Sequence, residues 1–341
     1  KENAEMFERS IQSIILDILS EEQMKIGDCR AVSTADRFRL TDLPNALRIP
    51  FVDLPIDRQI DMICELHPEE QAVVFHDESV TFAQLKQYTD RLAARLKGEG
   101  VKRGDCVGVV CRRGIELIVS LIGVLKTGAA YVPMLPSYPE NRIRYMTEIS
   151  GADLLLCDEK TLEEKAGTIG GKLISVSEAM KENHPEPFEG VPGRNGEDTC
   201  FVLFTSGSTG DPKGVMIRHR SLSGLLENLK NNYQVPGGFL CLTNFVFDIF
   251  TAETLIPLAV GKQVILSDEE ELLLPWKTAE LFAKNKVGMI QFTPTRAQVF
   301  MQNREFFEAI RNVPVVMTAG EALPQPLLDK FREAHCQRIL N

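Results

Sequence analysis

A loop rich in glycine and hydroxyl side chains follows an apolar run in the second half of the sequence. The run covers residues 200–204 (CFVLF), and the loop covers residues 205–214 (TSGSTGDPKG). Glycine lets backbone N–H groups approach an anion with no Cβ atom in the way. The hydroxyl groups add hydrogen-bond donors, and Lys213 adds a mobile positive charge. This composition indicates a cradle for phosphate groups.

The loop differs from a Walker loop and from an ordinary surface turn. A Walker loop has Gly-Lys followed by Ser or Thr at the start of a helix. Here Lys213 lies between Pro212 and Gly214, and residues 215–217 predict a strand. A flexible glycine-serine turn would explain the glycines and hydroxyls, but not the apolar strand on each side or the lysine at this offset. We therefore favour the phosphate cradle.

The elements that hold this loop alternate between strand and helix patterns. In the second half of the chain, helical patterns separate apolar strand candidates centred near residues 240, 264, 289, 315 and 338. An interval of about 25 residues is typical of βαβ units, which give parallel strands covered by helices. We therefore predict an α/β fold with two mostly parallel βαβ subdomains and helices on both faces of each sheet.

The first half of the chain carries shorter patterns of the same kind. We predict an amphipathic helix over residues 5–19, a linker over 20–50 and a variable surface connection over 158–198. Between the linker and the connection, the patterns predict strands at 71–75, 80–82, 106–111, 130–132 and 154–156, and helices at 82–97, 115–126 and 139–150.

The overall composition excludes several classes of protein. The chain has 341 residues, of which 44% are hydrophobic and 25% charged, as expected for a globular protein of about two domains. The net charge of −10 argues against a nucleic-acid partner, and no apolar run is long enough to span a membrane. Eight scattered cysteines without a CxxC pair predict buried, reduced thiols in the cytoplasm rather than a zinc site.

The loop sequence TSGSTGDPKG resembles the phosphate loop of adenylate-forming enzymes, the superfamily of acyl-CoA synthetases, luciferases and the adenylation domains of nonribosomal peptide synthetases. The chain departs from the superfamily pattern at Leu135, where Asp is usual, and at Phe250, where Ser is usual. Other segments are similar to superfamily motifs in the same order: VTFAQL (80–85), LKTGAAYVP (125–133), YPENRI (138–143), His219, FDIFTAE (247–253) and TAGEA (318–322). Those at 125–143 are typical of peptide synthetases.

The resemblance begins near residue 50 and implies how the chain is organised. Residues 1–50 are similar to the last helix of a condensation domain plus a linker. Residues 51–341 are similar to the core of an adenylation domain, with subdomains at about 51–198 and 199–341. The sequence ends just before a segment that supplies an adenine contact and a Mg²⁺ ligand in relatives, and the mobile C-terminal subdomain is absent. We therefore expect an incomplete domain without metal ligands that does not adenylate alone.

The resemblance also implies which side chains bind an amino acid. Asp248 corresponds to the carboxylate that binds the α-amino group, which relatives that activate aryl or fatty acids usually lack. By propensity alone, this Asp is more typical of a helix N-cap. Ala252 replaces a frequent Trp and deepens the pocket, Ile249 and Met317 make it apolar, and Gln291 offers one amide to a polar side-chain atom. We therefore expect a medium or large, mainly apolar amino acid. The implied substrate set is Phe247, Asp248, Ile249, Ala252, Gln291, Met317, Ala319 and Gly320.

The remaining motif residues are implied in ATP binding and catalysis. Thr205 and Lys213 are the implied catalytic residues. The implied reaction joins an amino acid to AMP, with ATP and Mg²⁺, and passes the aminoacyl group to the phosphopantetheine thiol of a carrier domain. The implied partners are the carrier and condensation domains of the same synthetase. The residues implied at the triphosphate are Thr205, Ser206, Gly207, Ser208, Thr209, Gly210 and Lys213, and those at adenine are Gly320, Glu321 and Ala322.

Two other functions stay open at this point. The same chemistry could act on a carboxylic acid without an amine, with CoA as the acceptor. Alternatively, the chain could be a non-catalytic module that contacts a condensation domain through the helix at residues 5–19. Replacement of Asp248 by Ala separates the first alternative from amino acid activation, and nucleotide binding separates the second.

Overall fold

The computed structural model describes residues 2–20, 25, 32–42, 52–182, 188–205 and 212–341. The chain divides into two units, Lys1–Phe51 and Val52–Asn341, which are described separately. The loop residues Ser206, Gly207, Ser208, Thr209 and Gly210 lie outside the described residues.

The first unit is helical where it is described. Helix α1 (Glu2–Ser20) confirms the helix predicted over residues 5–19. Helix α2 (Thr34–Arg37) continues as a π-helical turn over Phe38–Asp42, so part of the predicted linker at 20–50 is helical. Arg9 donates a hydrogen bond to the Asp36 carboxylate at 2.8 Å, and this contact lowers the pKa of Asp36 to about 2.

The second unit contains two sheets that confirm the predicted α/β class. The first has six strands in the order β6-β5-β3-β4-β7-β8, which pair in parallel except for the antiparallel hairpin of β7 and β8. Its strands are β3 (Cys106–Val110), β4 (Ala130–Pro133), β5 (Leu154–Cys157), β6 (Lys172–Ser175), β7 (Thr199–Thr205) and β8 (Lys213–Arg218).

The other sheet has seven strands in the order β13-β12-β11-β9-β10-β1-β2, and only the edge strand β2 is antiparallel to its neighbour. The five strands predicted near residues 240 to 338 are therefore confirmed as neighbouring parallel strands. The strands are β1 (Gln71–Phe75), β2 (Glu78–Thr81), β9 (Gly238–Cys241), β10 (Val264–Leu266), β11 (Val287–Phe292), β12 (Val315–Thr318) and β13 (Arg338–Leu340).

Helices cover both faces of the sheets, and those predicted at 82–97, 115–126 and 139–150 are confirmed within one residue. The helices of the first half are α3 (Ile56–Leu66), α4 (Phe82–Gly98), α5 (Ile115–Lys126), α6 (Glu140–Ser150), α7 (Glu159–Lys165) and α8 (Val176–Lys181). Those of the second half are α9 (His219–Leu229), α10 (Ile249–Glu253), α11 (Leu255–Ala259), α12 (Glu269–Leu273), α13 (Pro275–Lys284), α14 (Pro294–Phe300), α15 (Arg304–Ala309) and α16 (Gln325–Glu333).

Alternating side chains of the buried strands belong to different apolar clusters. On β3, Val109 belongs to a central cluster shared by both sheets, whereas Val110 belongs to an outer cluster of the six-stranded sheet. On β12, Val315 belongs to the central cluster and Val316 to an outer cluster of the seven-stranded sheet. Successive residues of a strand point to opposite faces. Both faces of each sheet are therefore buried, which explains why these strands are continuous apolar runs.

Strand membership differs from the sequence boundary expected at residue 198. Strands β1 and β2 join the seven-stranded sheet, which otherwise consists of strands from residue 238 onward. Strands β7 and β8 lie beyond residue 198 but join the six-stranded sheet. The predicted boundary rests on a change in composition, which does not determine which strands pair. In the structure, β1 pairs with β10 and β7 pairs with β4.

The segment at 158–198 is more regular than the surface connection predicted there. It contains α7, β6 and α8, and β6 is an edge strand of four residues. Side-chain caps begin both helices: Asp158 accepts a hydrogen bond from the N–H of Thr161, and Ser175 from the N–H of Glu178. Elements this short contain too few residues for a periodic pattern to appear in the sequence.

The cysteines in the described part of the chain are free thiols, as predicted. Six of them are buried and Cys106 is partly exposed. Burial raises the pKa of Cys64 and of Cys157 to about 12. Among the described helices, none is both long enough and apolar enough to cross a membrane.

Candidate functional site

A cavity of about 580 Å³ lies at the carboxyl end of the seven-stranded sheet. Gln291 of β11, Met317 of β12 and Leu340 of β13 line it near the ends of their strands. The carboxyl ends of parallel strands meet at one edge of a sheet, where α/β proteins bind their ligands. The lining also includes residues from α9, from α10 and from the hairpin of β7 and β8.

Asp248 lines this cavity at the start of α10. Its Oδ1 accepts a hydrogen bond from the N–H of Ile249 at 2.8 Å, so the side chain caps the short helix. Within the described residues, Oδ2 has no hydrogen-bond partner, and the side chain is exposed. A carboxylate with one free oxygen can accept a hydrogen bond from a cationic group of a ligand. The N-cap and the ligand contact are therefore compatible in one residue.

Gln291 places an unsatisfied amide at the cavity. The residue is 4% exposed, and its Oε1 has no hydrogen-bond partner in the part of the chain that the structure describes. A buried polar atom without a partner costs free energy, which a ligand that completes the hydrogen bond recovers. Gln291 is therefore suited to contact a polar group of a bound molecule.

Six of the eight residues predicted to bind the substrate line the same cavity. Ile249 and Ala252 lie on α10 beside Asp248, and Met317 and Ala319 lie at the end of β12. The other two do not line the cavity: the side chain of Phe247 is 60% exposed, and Gly320 lies in the loop after β12. The six lining residues are Asp248, Ile249, Ala252, Gln291, Met317 and Ala319.

The hairpin of β7 and β8 carries the glycine-rich loop at its tip. Thr205 and Lys213 are directly paired across the two strands, and both side chains are exposed. The hydroxyl group of Tyr145, on α6, donates to the carbonyl of Pro212 at 3.2 Å and so ties one end of the loop to a helix. The body of the same hairpin supplies Phe201 and Ile217 to the cavity.

The predicted adenine residues lie in the exposed loop that follows β12. The loop turns at Gly320, whose φ of 85° is a left-handed conformation that favours glycine. The carboxylate of Glu321 accepts hydrogen bonds from the N–H of Thr295 at 2.9 Å and from its hydroxyl group at 2.6 Å. Ala322 is exposed beside it. The loop is therefore anchored to the first turn of α14 at the carboxyl edge of the sheet.

Sequence reasoning missed the part of the cavity formed by α9 and its neighbours. Leu222, Leu225 and Leu229 line the cavity, and their spacing of three and four residues follows one face of a helix. That periodicity was a readable signal of an apolar face, but not of the cavity it covers. The further lining residues are Phe201, Ile217, Ser221, Asn232, Thr251, Thr318, Leu340 and Asn341.

His219, another motif residue, is buried outside the cavity lining. Its Nδ1 accepts a hydrogen bond from the N–H of Ile56 at 3.2 Å, so the ring proton must lie on Nε2. Nε2 has no partner among the described residues. Burial lowers the pKa of His219 to about 4, and the ring is neutral at physiological pH. This environment fits a packing role better than proton transfer.

One group of side chains in the described residues has the spacing of a cation site. His76, Asp268 and Glu271 place ligand atoms within 4.8 Å of one another. Asp268 and Glu271 already form the capping box of α12, and none of the three lines the cavity. These three residues are therefore not part of the candidate site.

Comparison with known proteins decides the family. A model of the family described as AMP-binding enzyme matches residues 60–341. The chain belongs to the AMP-binding enzymes. As a member of this family, it is 31% identical to bacitracin synthase 3 of Bacillus licheniformis over 95% of the chain. It is 28% identical to gramicidin S synthase 2 of Brevibacillus brevis over 96% of the chain.

This member of the AMP-binding enzyme family corresponds to a small part of these relatives, 5% of the first and 7% of the second. Solved structures share the fold. The nonribosomal peptide synthetase FmoA3 matches with a TM-score of 0.83 and 22% identity, over 96% of this chain and 35% of that one. The N-terminal subdomain of NpsA from Klebsiella oxytoca matches with a TM-score of 0.74 and 22% identity, over 84% of this chain and 74% of that one.

Proposed function

We propose that this chain is the core of an adenylation domain, which activates an amino acid for a nonribosomal peptide synthetase. The observation that carries the proposal is the convergence of six predicted substrate residues on one cavity, next to the hairpin that bears the glycine-rich loop. Membership of the AMP-binding family and similarity to two peptide synthetases support it.

In the proposed reaction, the carboxylate of the amino acid attacks the α-phosphate of MgATP, and pyrophosphate leaves. The chain contributes position and charge rather than covalent chemistry. The free oxygen of Asp248 accepts a hydrogen bond from the α-ammonium group. This contact replaces the water that the cation loses when it enters the cavity. Lys213, with the hydroxyl of Thr205, faces the negative charge that grows on the departing pyrophosphate.

The remaining residue assignments belong to the same proposal. The loop residues Ser206, Gly207, Ser208, Thr209 and Gly210 bind the triphosphate, and Gly320, Glu321 and Ala322 contact adenine. A carrier domain then accepts the aminoacyl group on its phosphopantetheine thiol, and a condensation domain uses it. The free, buried thiols support a reducing, cytoplasmic compartment for this synthetase.

The lining of the cavity indicates the character of the substrate side chain. Leu222, Leu225, Ile249 and Met317 make most of the lining apolar. Gln291 adds one amide without a partner. We therefore propose a medium or large amino acid whose side chain is mainly apolar and carries one uncharged hydrogen-bonding group within reach of Gln291.

Amino-acid-dependent exchange between ATP and pyrophosphate, measured on the full-length synthetase, tests the proposal. We expect exchange with one group of related amino acids and none with the same acids lacking the α-amino group. Exchange driven equally well by acids without an amine would favour a CoA ligase. Absence of ATP or AMP binding, measured by calorimetry, would favour a docking module.

The amine contact has its own test. Replacing Asp248→Ala removes a charge-assisted hydrogen bond, so we expect the KM for the amino acid to rise about tenfold or more while the KM for ATP stays unchanged. Asp268→Ala is the matched control, because Asp268 also caps a five-residue helix but does not line the cavity. Equal effects of both substitutions would mean that Asp248 acts only as a cap.

A further inference from the structure

A buried carboxylate holds the backbone that leads into the proposed amine site. Glu253 is fully buried at the end of α10. Its Oε2 accepts hydrogen bonds from the N–H groups of Leu242 at 2.9 Å and of Thr243 at 2.8 Å, and its Oε1 accepts from the Thr243 hydroxyl at 2.6 Å. These hydrogen bonds therefore join the two ends of the segment 242–253, and Asp248 lies near the middle of that segment.

Two guanidinium groups hold the carbonyls of the same short segment. Arg113, which is 6% exposed, donates to the carbonyl of Cys241 at 3.0 Å and to that of Thr243 at 2.6 Å. Arg296 donates to the carbonyl of Leu242. All three carbonyls of residues 241–243 therefore accept hydrogen bonds from side chains. We refer to Arg113, Glu253 and Arg296 as the 241–243 clamp.

The clamp joins distant parts of the second unit. Arg113 comes from the loop after β3 of the six-stranded sheet, Glu253 from α10 and Arg296 from α14. Arg113 also donates to the carbonyl of Ser267, after β10, and its guanidinium lies 5.7 Å from the ring centroid of Phe250. This cation–π contact packs the Phe250 ring against the clamp.

Stability alone explains the clamp poorly. Moving Glu253 and Arg113 out of water, and Arg296 partly out of water, is costly, and apolar packing of similar volume is often as stable as a buried ion cluster. Burial raises the pKa of Glu253, opposed by its hydrogen bonds to Thr243 and by the charge of Arg113. Such a cluster fixes the geometry of the backbone that it binds, because each hydrogen bond has a narrow range of distance and angle.

We infer that Arg113, Glu253 and Arg296 are positioning residues for the amino acid: they fix residues 241–248 so that the carboxylate of Asp248 is held at the cavity. The inference rests on the proposed function, because the amine is the group that Asp248 is proposed to bind. None of the three clamp residues lines the cavity, so the clamp acts through the backbone that ends at Asp248.

Exchange kinetics of Glu253→Gln in the full-length synthetase test this inference. The amide oxygen can still accept from the two backbone N–H groups, but the N–H₂ group replaces the acceptor that faces the Thr243 hydroxyl. The negative charge near Arg113 is also lost, so the segment is held less firmly. We expect the KM for the amino acid to rise roughly ten- to a hundredfold, with the KM for ATP changed less than about twofold. Glu271→Gln is the matched control, a buried carboxyl that binds backbone away from the cavity, and its kinetics should equal those of the parent.

A double-mutant cycle with Asp248→Ala separates positioning from a general structural effect. If the clamp acts through Asp248, Glu253→Gln should change the KM for the amino acid less than about twofold in the Asp248→Ala background. Independent, multiplying effects in the double variant would overturn the inference. Failure of the parent protein to show amino-acid-dependent exchange contradicts the proposed function instead, so the two failures are distinguishable.

Milder variants keep the test decisive if Glu253→Gln does not fold. Thr243→Val removes only the hydroxyl contact to Glu253, and Arg113→Lys keeps the charge but cannot reach two carbonyls in the same way. Both should raise the KM for the amino acid several-fold while leaving the KM for ATP unchanged. Arg194→Lys, at the buried ion pair with Asp57, is the control for Arg113→Lys. Parallel increases in both KM values would contradict the inference.

Discussion

Two buried polar atoms without a partner, one in Gln291 and one in His219, have different consequences. Oε1 of Gln291 lies at the cavity, where a ligand can complete its hydrogen bond. Nε2 of His219 lies away from the cavity lining, so its missing hydrogen bond is a constant cost to the folded state. The same feature thus indicates ligand binding at Gln291, whereas at His219 it accompanies a ring whose pKa is lowered by burial.

We predict that His219 makes the free energy of unfolding depend on pH. The folded-state pKa of about 4 lies below the ordinary value of 6.5, so the unfolded chain binds the proton more tightly. The stability is fully present above about pH 6.5 and falls as the pH drops toward 4, by up to roughly 3 kcal/mol in total. Urea unfolding between pH 7 and pH 4 measures this loss.

The control for this prediction is His219→Asn, which keeps an acceptor for the N–H of Ile56 but has no group that titrates in this range. The variant should lose less stability between pH 7 and pH 4 than the parent. A difference between the two proteins that stays constant over this range would show that His219 is not held neutral by burial.

Residue identity could be predicted where a motif was long and local. The FDIFTAE and TAGEA segments contain four of the six cavity residues, and Gln291 and Met317 followed from the family pattern. The clamp could not be predicted, because Arg113 and Arg296 are 183 residues apart and bind backbone carbonyls, which leave no pattern in side-chain types.

The hairpin of β7 and β8 joins the two parts of the proposed site. Its tip bears the glycine-rich loop, and its body lines the cavity through Phe201 and Ile217. The edge position of β8 leaves Met216 70% exposed. A contact that holds the end of this loop should therefore affect the KM for ATP more than the KM for the amino acid.

We predict that Tyr145→Phe weakens ATP binding. The substitution removes the hydrogen bond from the Tyr145 hydroxyl to the carbonyl of Pro212, which holds the backbone next to Lys213. One such hydrogen bond is worth about 1 kcal/mol, so the KM for ATP should rise about two- to tenfold in pyrophosphate exchange, with the KM for the amino acid unchanged.

Tyr138→Phe is the matched control, because it keeps the ring that stacks on Arg142 and removes only a hydroxyl group. Its KM for ATP should equal that of the parent. An unchanged KM in Tyr145→Phe, or an equal rise in both variants, would mean that the Pro212 contact does not order the loop.

The elements that could be predicted were the long ones. Helices of several turns, such as α5, and strands made of one apolar run, such as β11, were located within a residue or two. Short elements capped by polar side chains, such as α7 and α8, gave no periodic signal. Their positions depend on the hydrogen bonds of Asp158 and Ser175 rather than on an apolar face.

In the second unit, the six-stranded sheet is an insertion, in chain order, within the seven-stranded one. Strands β1 and β2 precede it in the chain, and β9 to β13 follow it. Strand β1 lies between β2 and β10, so the first and last parts of the unit share one sheet. The sequence predicted parallel units correctly but not this interleaving, because pairing between distant strands depends on packing rather than on local pattern.

We predict that a cut at residue 198 does not produce two folded fragments. Residues 52–198 lack β7 and β8, and residues 199–341 lack β1 beside β10, so each fragment has an unpaired, apolar sheet edge. Neither should show a cooperative urea transition alone, whereas residues 52–341 should. A cooperative transition in either isolated fragment, followed by circular dichroism, would contradict this view of the fold.

The free thiols give this protein a built-in set of chemical reporters. Only Cys106 among the described cysteines is partly exposed, so an alkylating reagent should reach it first. Cys241 lies in the segment held by the clamp, and the Arg113 guanidinium is 3.5 Å from its sulfur. Its labelling rate, resolved by mass spectrometry, should therefore report how often the segment next to the proposed amine site opens, and bound substrate should slow that labelling without affecting Cys106.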